Sequence, residues 1–202
     1  TGRKFDLLQP DPAQVDIRDI AHALGRVCRF AGHTHEFYSV AQHSVLVSRV
    51  CAPEDALYAL LHDAAEAYIG DMTRPLKLAL PAYALIERRI ERAVWRGLGL
   101  AAPTAEQHAR IKHWDNALLA TEARDLFPPS IDDWTDALPH PLPGRLGRVL
   151  DPRQASYAFL CRLAEICDDC EQAPEVIRHA LEKFSAEQGD EARRRLGQVC
   201  GM

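Results

Sequence analysis

The chain has 202 residues, of which 47% are hydrophobic and 26% charged, and its formal net charge is −5. This size suits one well-filled domain, and the negative charge argues against binding of a nucleic acid polymer, which normally needs a basic surface. No apolar run reaches the length of a membrane span, and no signal-peptide pattern stands near the first residue, so we expect a cytoplasmic protein without membrane contact.

The spacing of apolar residues predicts helices, and signals for strands are nearly absent. The predicted helices cover residues 16–28, 39–51, 53–69, 81–98, 104–127, 152–167, 174–188 and 190–199. Ser39 with Gln42 and Thr104 with Gln107 have the spacing of capping boxes, and Gly70 is placed to end the third helix. The sequence therefore predicts an all-α fold.

A proline-rich segment divides the predicted helices into two groups. We expect a long loop over about 128–150, because proline interrupts helices, between a core at about 16–127 and C-terminal helices at 151–200. Trp134 lies in this loop. The apolar faces of the C-terminal helices predict a homodimer, and the whole chain is predicted to form one domain.

The stretch LLHDAAEAYIGDMTRPLK, residues 60–77, places titratable groups on an apolar helical pattern. His62 and Asp63 follow the apolar run ALYALL directly, and Glu66 projects on their side of the predicted helix. Burying an unpaired carboxylate costs several kcal/mol, so buried charges are normally paired or bound to a metal. The stretch therefore predicts either a buried polar network or a metal site.

Two other predicted helices carry polar residues inside apolar patterns. His43 stands in SVAQHSVLVSRV, and Asp115 shares a stripe with Ile111, Leu118 and Glu122. Two imidazoles and two carboxylates suit one divalent transition metal, with Mn, Co, Fe, Ni and Zn all acceptable. Hydrogen-bonded core residues are the alternative for any one of these positions alone.

The order of His43, the adjacent His62 and Asp63, and Asp115 on three predicted helices resembles the HD superfamily of metal-dependent phosphohydrolases. The segment HDAAEAYIGDMTRPLK is similar to the 5′-deoxynucleotidase branch, and the resemblance covers about residues 20–127. It implies an HD-domain helical bundle in which these four residues bind the metal.

The resemblance also implies roles for other residues. Glu66 would be the general acid or base that works through a metal-bound water, and Asp71 would hold the nucleotide or a second water. That branch has an Arg-Trp pair before its first histidine, and Arg29 and Phe30 stand at that place here. The change from Trp to Phe leaves open whether a ribose 2′-hydroxyl is excluded.

Basic residues after the HD pair complete the predicted site. Arg74 and Lys77, together with Arg29, would balance the charge of a bound phosphate. We therefore expect a phosphohydrolase for small nucleotides, above all a (deoxy)nucleoside 5′-monophosphatase. A dNTP triphosphohydrolase with the same metal site and a non-catalytic sensor of metal or nucleotide are the alternatives.

Overall fold

The computed structural model describes residues 1–128, 135, 137–168 and 173–186. Within these ranges the regular structure is helical, and the extended pairing is limited to one isolated bridge between Cys28 and Ser39. The helices are α1 (Ile17–Leu24), α2 (Val40–Val50), α3 (Ala56–Leu61), α4 (Glu66–Ile69), α5 (Arg74–Ala79), α6 (Pro81–Gly97), α7 (Ala105–Leu126), α8 (Pro152–Asp168) and α9 over 175–186. The prediction of an all-α fold is confirmed.

Helix α8 packs against α1, α2 and α3 and forms much of the core. Its Phe159 and Leu163 are fully buried. Helix α1 approaches α8 closely at Gly25, where an added Cβ would lie 2.1 Å from Ser156 Oγ and 2.7 Å from the Pro152 carbonyl oxygen. A glycine is therefore required at this helix crossing.

The start of the chain follows the predictions with two differences. Helix α1 ends before Gly25, so the predicted range of 16–28 is too long. Ser39 Oγ accepts a hydrogen bond from the backbone N–H of Gln42, but the Gln42 side chain binds Arg148 and Leu150 instead of the cap. Only half of the predicted capping box forms, because the amide of Gln42 secures the segment before α8.

The prediction of one helix over 53–69 is wrong. Helix α3 ends at Leu61 and α4 begins at Glu66, with a tighter turn between them. In this turn the Glu66 N–H donates to the carbonyl of Asp63, three residues back, at 2.9 Å. Gly70, with φ of 77°, ends α4 as predicted. His62 and Asp63 thus lie in a turn at the end of a helix.

Other predictions have mixed outcomes. The complete capping box of Thr104 and Gln107 starts α7 as expected, whereas α5 was not predicted. The predicted helix over 190–199 and Trp134 lie outside the described residues. Among the helices that the structure describes, none is long and apolar enough to cross a membrane.

Candidate metal centre and active site

Three parts of the fold bring the predicted ligands together. Helix α2 carries His43, the turn between α3 and α4 carries His62 and Asp63, and α7 carries Asp115. One possible ligand atom from each of His43, His62 and Asp115 lies within 4.8 Å of the other two. These three residues, which span 73 positions of the sequence, therefore lie close enough together to hold a metal ion.

The two carboxylates lie beside the two imidazoles. Asp63 Oδ2 is 3.1 Å from His62 Nε2 and 3.7 Å from His43 Nε2. Asp115 Oδ1 is 3.2 Å from His43 Nε2 and 4.0 Å from His62 Nε2. The two carboxylates therefore flank the Nε2 atoms of both imidazoles, and His43, His62 and Asp115 lie close enough together to share one ion.

Hydrogen bonds on the far side of each ring decide which nitrogen faces the two carboxylates. His43 Nδ1 lies 2.6 Å from Glu122 Oε1, and His62 Nδ1 lies 2.7 Å from the carbonyl oxygen of Ala59. A carboxylate and a carbonyl accept hydrogen bonds, so each Nδ1 carries the proton that it donates. In the neutral rings, both Nε2 atoms then present a lone pair to the centre of the cluster.

Both Nε2 atoms are buried and make no hydrogen bond with the described part of the chain. A nitrogen lone pair that faces carboxylate oxygens at these distances is repelled unless a proton or a metal cation lies between them. Two oriented imidazoles and two carboxylates are a suitable donor set for a divalent transition metal, and hydrogen bonds to the distal nitrogens are the usual support for such ligands. The cluster could therefore hold a metal ion, whose identity the donors do not fix.

The pKa shifts of the clustered side chains also favour a positive charge at this place. Burial and the nearby Arg29 lower the pKa of His43, but Glu122 and Asp115 outweigh them and raise it to about 9. Burial raises the pKa of Asp115, but the two histidines, His43 first, hold it well below its usual range. The His62 imidazole likewise lowers the pKa of Asp63 against the effect of burial.

Glu122 is a residue of the site to which the sequence assigned no role. It is fully buried and accepts hydrogen bonds from Tyr38 Oη at 2.9 Å and from Arg29 Nε at 3.1 Å, besides its contact with His43. Its signal was present, because Glu122 stands seven residues, or about two turns, after Asp115 on the same stripe of α7. The helical periodicity of the sequence could not predict that Glu122 would contact His43 on α2.

Arg29 places a buried positive charge beside the cluster. Only 8% of Arg29 is exposed, and its Nη1 lies 3.8 Å from Asp63 Oδ2. The Arg29 N–H donates to the carbonyl of Tyr38 at 2.8 Å, which fixes the base of the loop that leads to α2. The pairing with Glu122 and the backbone bond therefore hold the guanidinium in place.

Phe30 follows in an unusual conformation. Phe30 and Ala31 have φ of 54° and 51°, in the left-handed region that residues other than glycine rarely adopt. Such a conformation costs about 1–3 kcal/mol per residue and is concentrated at functional sites. The Phe30 ring meets Phe127 edge-on, with centroids 5.1 Å apart, and the Arg29 guanidinium lies 5.3 Å from its centroid.

Glu66 and Asp71, the predicted catalytic residues, lie in the electrostatic field of the cluster. Glu66 is buried, and its Oε2 has no hydrogen-bond partner among the described residues. Burial, followed by the charges of Asp63 and Asp71, raises the pKa of Glu66 well above its usual range. Burial also raises the pKa of Asp71. Their catalytic roles stay predictions.

The other predicted phosphate contacts lie further out. Arg74 is exposed, and its Nη2 donates to Asn116 Oδ1 at 3.0 Å, next to Asp115. Lys77 is half-buried and forms a 2.7 Å ion pair with Glu87. These contacts occupy both side chains in part, and Arg29 is the buried cation that lies against the cluster.

Comparison with known proteins gives two relatives. No protein-family model matches the chain. It is 42% identical over 126 residues to the uncharacterized protein YfdR of Escherichia coli (strain K12), covering 62% of this chain and 69% of the relative. It is 36% identical over 178 residues to the uncharacterized protein RCAP_rcc00048 of Rhodobacter capsulatus, covering 80% of this chain and 90% of the relative.

Proposed function

We propose that this chain, which belongs to one family with YfdR of Escherichia coli and RCAP_rcc00048 of Rhodobacter capsulatus, is a metal-dependent phosphohydrolase that removes phosphate from small nucleotides. The names of these relatives assign no activity. The support for the proposal comes from the site.

The observation that carries the proposal is the pair of buried Nε2 atoms of His43 and His62. Their rings are fixed from behind by Glu122 and Ala59, and the carboxylates of Asp63 and Asp115 lie in front. A metal held by these four ligands would supply the positive charge that the two carboxylates otherwise draw from protons on the imidazoles. A purely structural helical bundle gives no reason for this arrangement.

The proposed metal has a defined chemical task. A divalent ion held here would neutralise charge on phosphate oxygens and would lower the pKa of water. His43, His62, Asp63 and Asp115 would hold the ion. Glu122 keeps the Nε2 lone pair of His43 available by accepting the hydrogen bond from Nδ1.

The chain's own residues supply the rest of the chemistry. The Arg29 guanidinium, fixed by Glu122, has Nη1 directed towards the cluster and can bind a phosphate oxygen. Glu66 Oε2 is buried and has no hydrogen-bond partner in the described structure, so it can take a proton from the attacking water or give one to the departing oxygen. We assign the contact with the sugar to Phe30 and a polar contact with the nucleotide to Asp71.

The distribution of cations favours a monophosphate as the substrate. Arg29 is buried at the site, whereas Lys77 is paired with Glu87, Lys112 is paired with Asp115 and Arg74 lies exposed against Asn116. A triphosphate brings more negative charge and needs more basic groups than this arrangement offers. A (deoxy)nucleoside 5′-monophosphatase is therefore our first reading, and a dNTP triphosphohydrolase is the second.

The experiment that tests the function is identification of products. Purified protein loaded with Mn²⁺ or Co²⁺ is incubated separately with dAMP, AMP and dATP, and the products are separated by chromatography. We expect nucleoside and phosphate from the monophosphates, with no turnover in Asp63→Ala. Glu66→Gln should lower the rate by roughly 100-fold or more while the metal stays bound, because it removes the proton-transfer group.

Matched controls separate this result from general damage. Glu106→Gln changes an exposed carboxylate in the first turn of α7 and should leave the rate unchanged. Deoxynucleoside and triphosphate from dATP, with monophosphates untouched, would replace the monophosphatase by a triphosphohydrolase. Bound metal without turnover of any nucleotide would contradict the proposed substrate class and favour a sensor.

A further inference from the structure

A second concave surface lies between helix α6 and the segment before α1, and none of its lining residues belongs to the candidate metal centre. Its cavity volume is about 490 Å³, within the range of small-molecule sites. One wall is formed by Pro10 and Pro12, and part of the floor by Trp95 and Leu100. Gly97 permits this contact, since a Cβ there would lie 2.5 Å from the Pro12 carbonyl oxygen.

Three arginines of α6 line this groove. Arg89, Arg92 and Arg96 are exposed, and no hydrogen bond or ion pair involving them is found in the described parts of the chain. Their spacing of three and four residues places them on one face of the helix, over about 10 Å along its axis. Asp11 lies between the two prolines, and its carboxylate accepts a hydrogen bond from the Ala13 N–H.

Helix α6 carries acidic residues on one face and the three groove arginines on the opposite face. Glu87 pairs with Lys77 and so faces the candidate active site, and Glu91 is one turn further on the same face. The positions of the three arginines are rotated by 140° or more from Glu87, on the opposite side of the helix. The groove arginines therefore form a separate positive patch on a chain whose net charge is −5.

A merely solvated arginine face would lie on a convex helix surface, but these arginines border a groove with an apolar floor. Trp95 is 8% exposed and Ala93 is 4% exposed, so the floor of the groove is continuous with the hydrophobic core. One guanidinium group can donate two parallel hydrogen bonds to the oxygens of a phosphate. Three arginines with long side chains can therefore contact neighbouring phosphates of one ligand.

We infer that the groove formed by Pro10, Pro12, Trp95, Leu100, Arg89, Arg92 and Arg96 binds an organic polyphosphate, such as a nucleoside di- or triphosphate. The arginines contact the phosphates, and the apolar part of the ligand lies against the proline wall and the floor. This site is separate from the metal centre, so it does not depend on the proposed hydrolysis.

The test uses NMR of the full chain with the metal removed by a chelator, so that binding at the metal centre is suppressed. Titration with ATP, at low salt, should shift the Trp95 indole N–H and the Nε–H signals of Arg89, Arg92 and Arg96. Inorganic triphosphate should shift the arginine signals with weaker affinity, because it has no apolar part. Higher salt should weaken both, as expected for phosphate contacts with arginine.

Two variants locate the site. The triple variant Arg89→Gln, Arg92→Gln, Arg96→Gln should bind ATP at least tenfold more weakly than the wild type. Its NMR spectrum should remain that of a folded protein. Arg88→Gln removes an exposed arginine of the same helix that does not line the groove, and it should bind as the wild type does. Shifts confined to the surroundings of His43 and His62, equal affinity for ATP and inorganic triphosphate, or unchanged binding by the triple variant would each overturn the proposal.

Discussion

Single buried contacts decide what the candidate site can bind. Glu122 accepts a hydrogen bond from His43 Nδ1 and two more from Tyr38 and Arg29, so one carboxylate fixes a ligand, a tyrosine and a cation. Its own ionised form is favoured, because the Arg29 guanidinium lowers the pKa of Glu122 against the effect of burial. The geometry of the candidate metal centre therefore depends on a residue outside the predicted ligand set.

We predict that Glu122→Gln lowers the affinity for the metal by about 10- to 100-fold, the usual effect of removing a supporting hydrogen-bond acceptor behind a histidine ligand. The glutamine amide can donate to His43 Nδ1, which favours the tautomer with a proton on Nε2 and removes the lone pair. Isothermal titration with Mn²⁺ or Zn²⁺ measures the change.

Tyr38→Phe is the matched comparison for this prediction. It removes one hydrogen bond to Glu122 but leaves the carboxylate and its contact with His43 in place. The loss of affinity should be smaller than in Glu122→Gln. Equal affinities in the wild type and Glu122→Gln would show that Glu122 does not orient the ligand.

At the scale of the elements, the site depends on how short segments are joined. The break between α3 and α4 puts His62 and Asp63 in a tight turn, and the close approach of α1 to α8 at Gly25 comes four residues before Arg29 in the chain. Two contacts between elements can be tested by single substitutions. One is the helix crossing at Gly25, and the other is the ion pair of Asp55, before α3, with Arg110 of α7.

Gly25→Ala should lower the free energy of unfolding by about 1–3 kcal/mol, the usual cost of overpacking a core. The new methyl would meet Ser156 Oγ and the Pro152 carbonyl, and the carbonyl belongs to the backbone and cannot rotate away. Urea unfolding measures the change. His22→Ala, at an exposed position on α1, should stay within about 0.5 kcal/mol of the wild type. Equal stability of Gly25→Ala and the wild type would show that the crossing is looser than described.

The link between the start of α3 and α7 predicts a dependence of stability on pH. The Asp55 carboxylate is buried and accepts hydrogen bonds from Arg110 Nε at 2.6 Å and Nη2 at 2.7 Å. These bonds lower the pKa of Asp55 despite the effect of burial. A group with a lowered pKa stabilises the folded protein above its unfolded pKa, and this stabilisation disappears as the pH falls through the folded pKa.

Asp55→Asn should therefore unfold at a lower temperature than the wild type near pH 7. The difference should be constant down to about pH 5 and shrink as the pH falls below about 4, where Asp55 of the unfolded chain begins to take up protons while the folded carboxylate stays ionised to lower pH. Thermal unfolding followed by circular dichroism over this range tests the trend. A difference that grows as the pH falls would contradict the assignment.

At the scale of the whole molecule, metal binding at the candidate centre would be coupled to folding, because the predicted ligands come from α2, from the turn after α3 and from α7. An ion that binds only the folded chain stabilises it by mass action. The same coupling would be absent if the two histidines and two aspartates formed a closed hydrogen-bonded network.

We predict that Mn²⁺, Co²⁺, Ni²⁺ or Zn²⁺ raises the Tm of protein first stripped by a chelator. At a free ion concentration 100 times the Kd, the gain is about 2.7 kcal/mol, or roughly 5–10 °C for a chain of this size. Differential scanning calorimetry measures it, and His62→Ala should lose the shift. No shift with any of the four ions would contradict the metal centre.

The sequence by itself determined the helical class and the polar residues of the cluster, because both are local patterns. Apolar spacing predicts helices, and His43, His62, Asp63 and Asp115 stand out as polar residues within apolar stripes. The cap of Thr104 and the stop at Gly70 were also readable, since each depends on residues within one turn.

Only the tertiary structure decided the partners of Glu122, the close helix crossing at Gly25 and the groove between α6 and the segment around Pro12. Each of these depends on contacts between residues far apart in the chain: Glu122 with His43, Gly25 with Ser156, and Gly97 with Pro12. Local propensity carries no information about such partners, because their contacts exist only after the helices have packed.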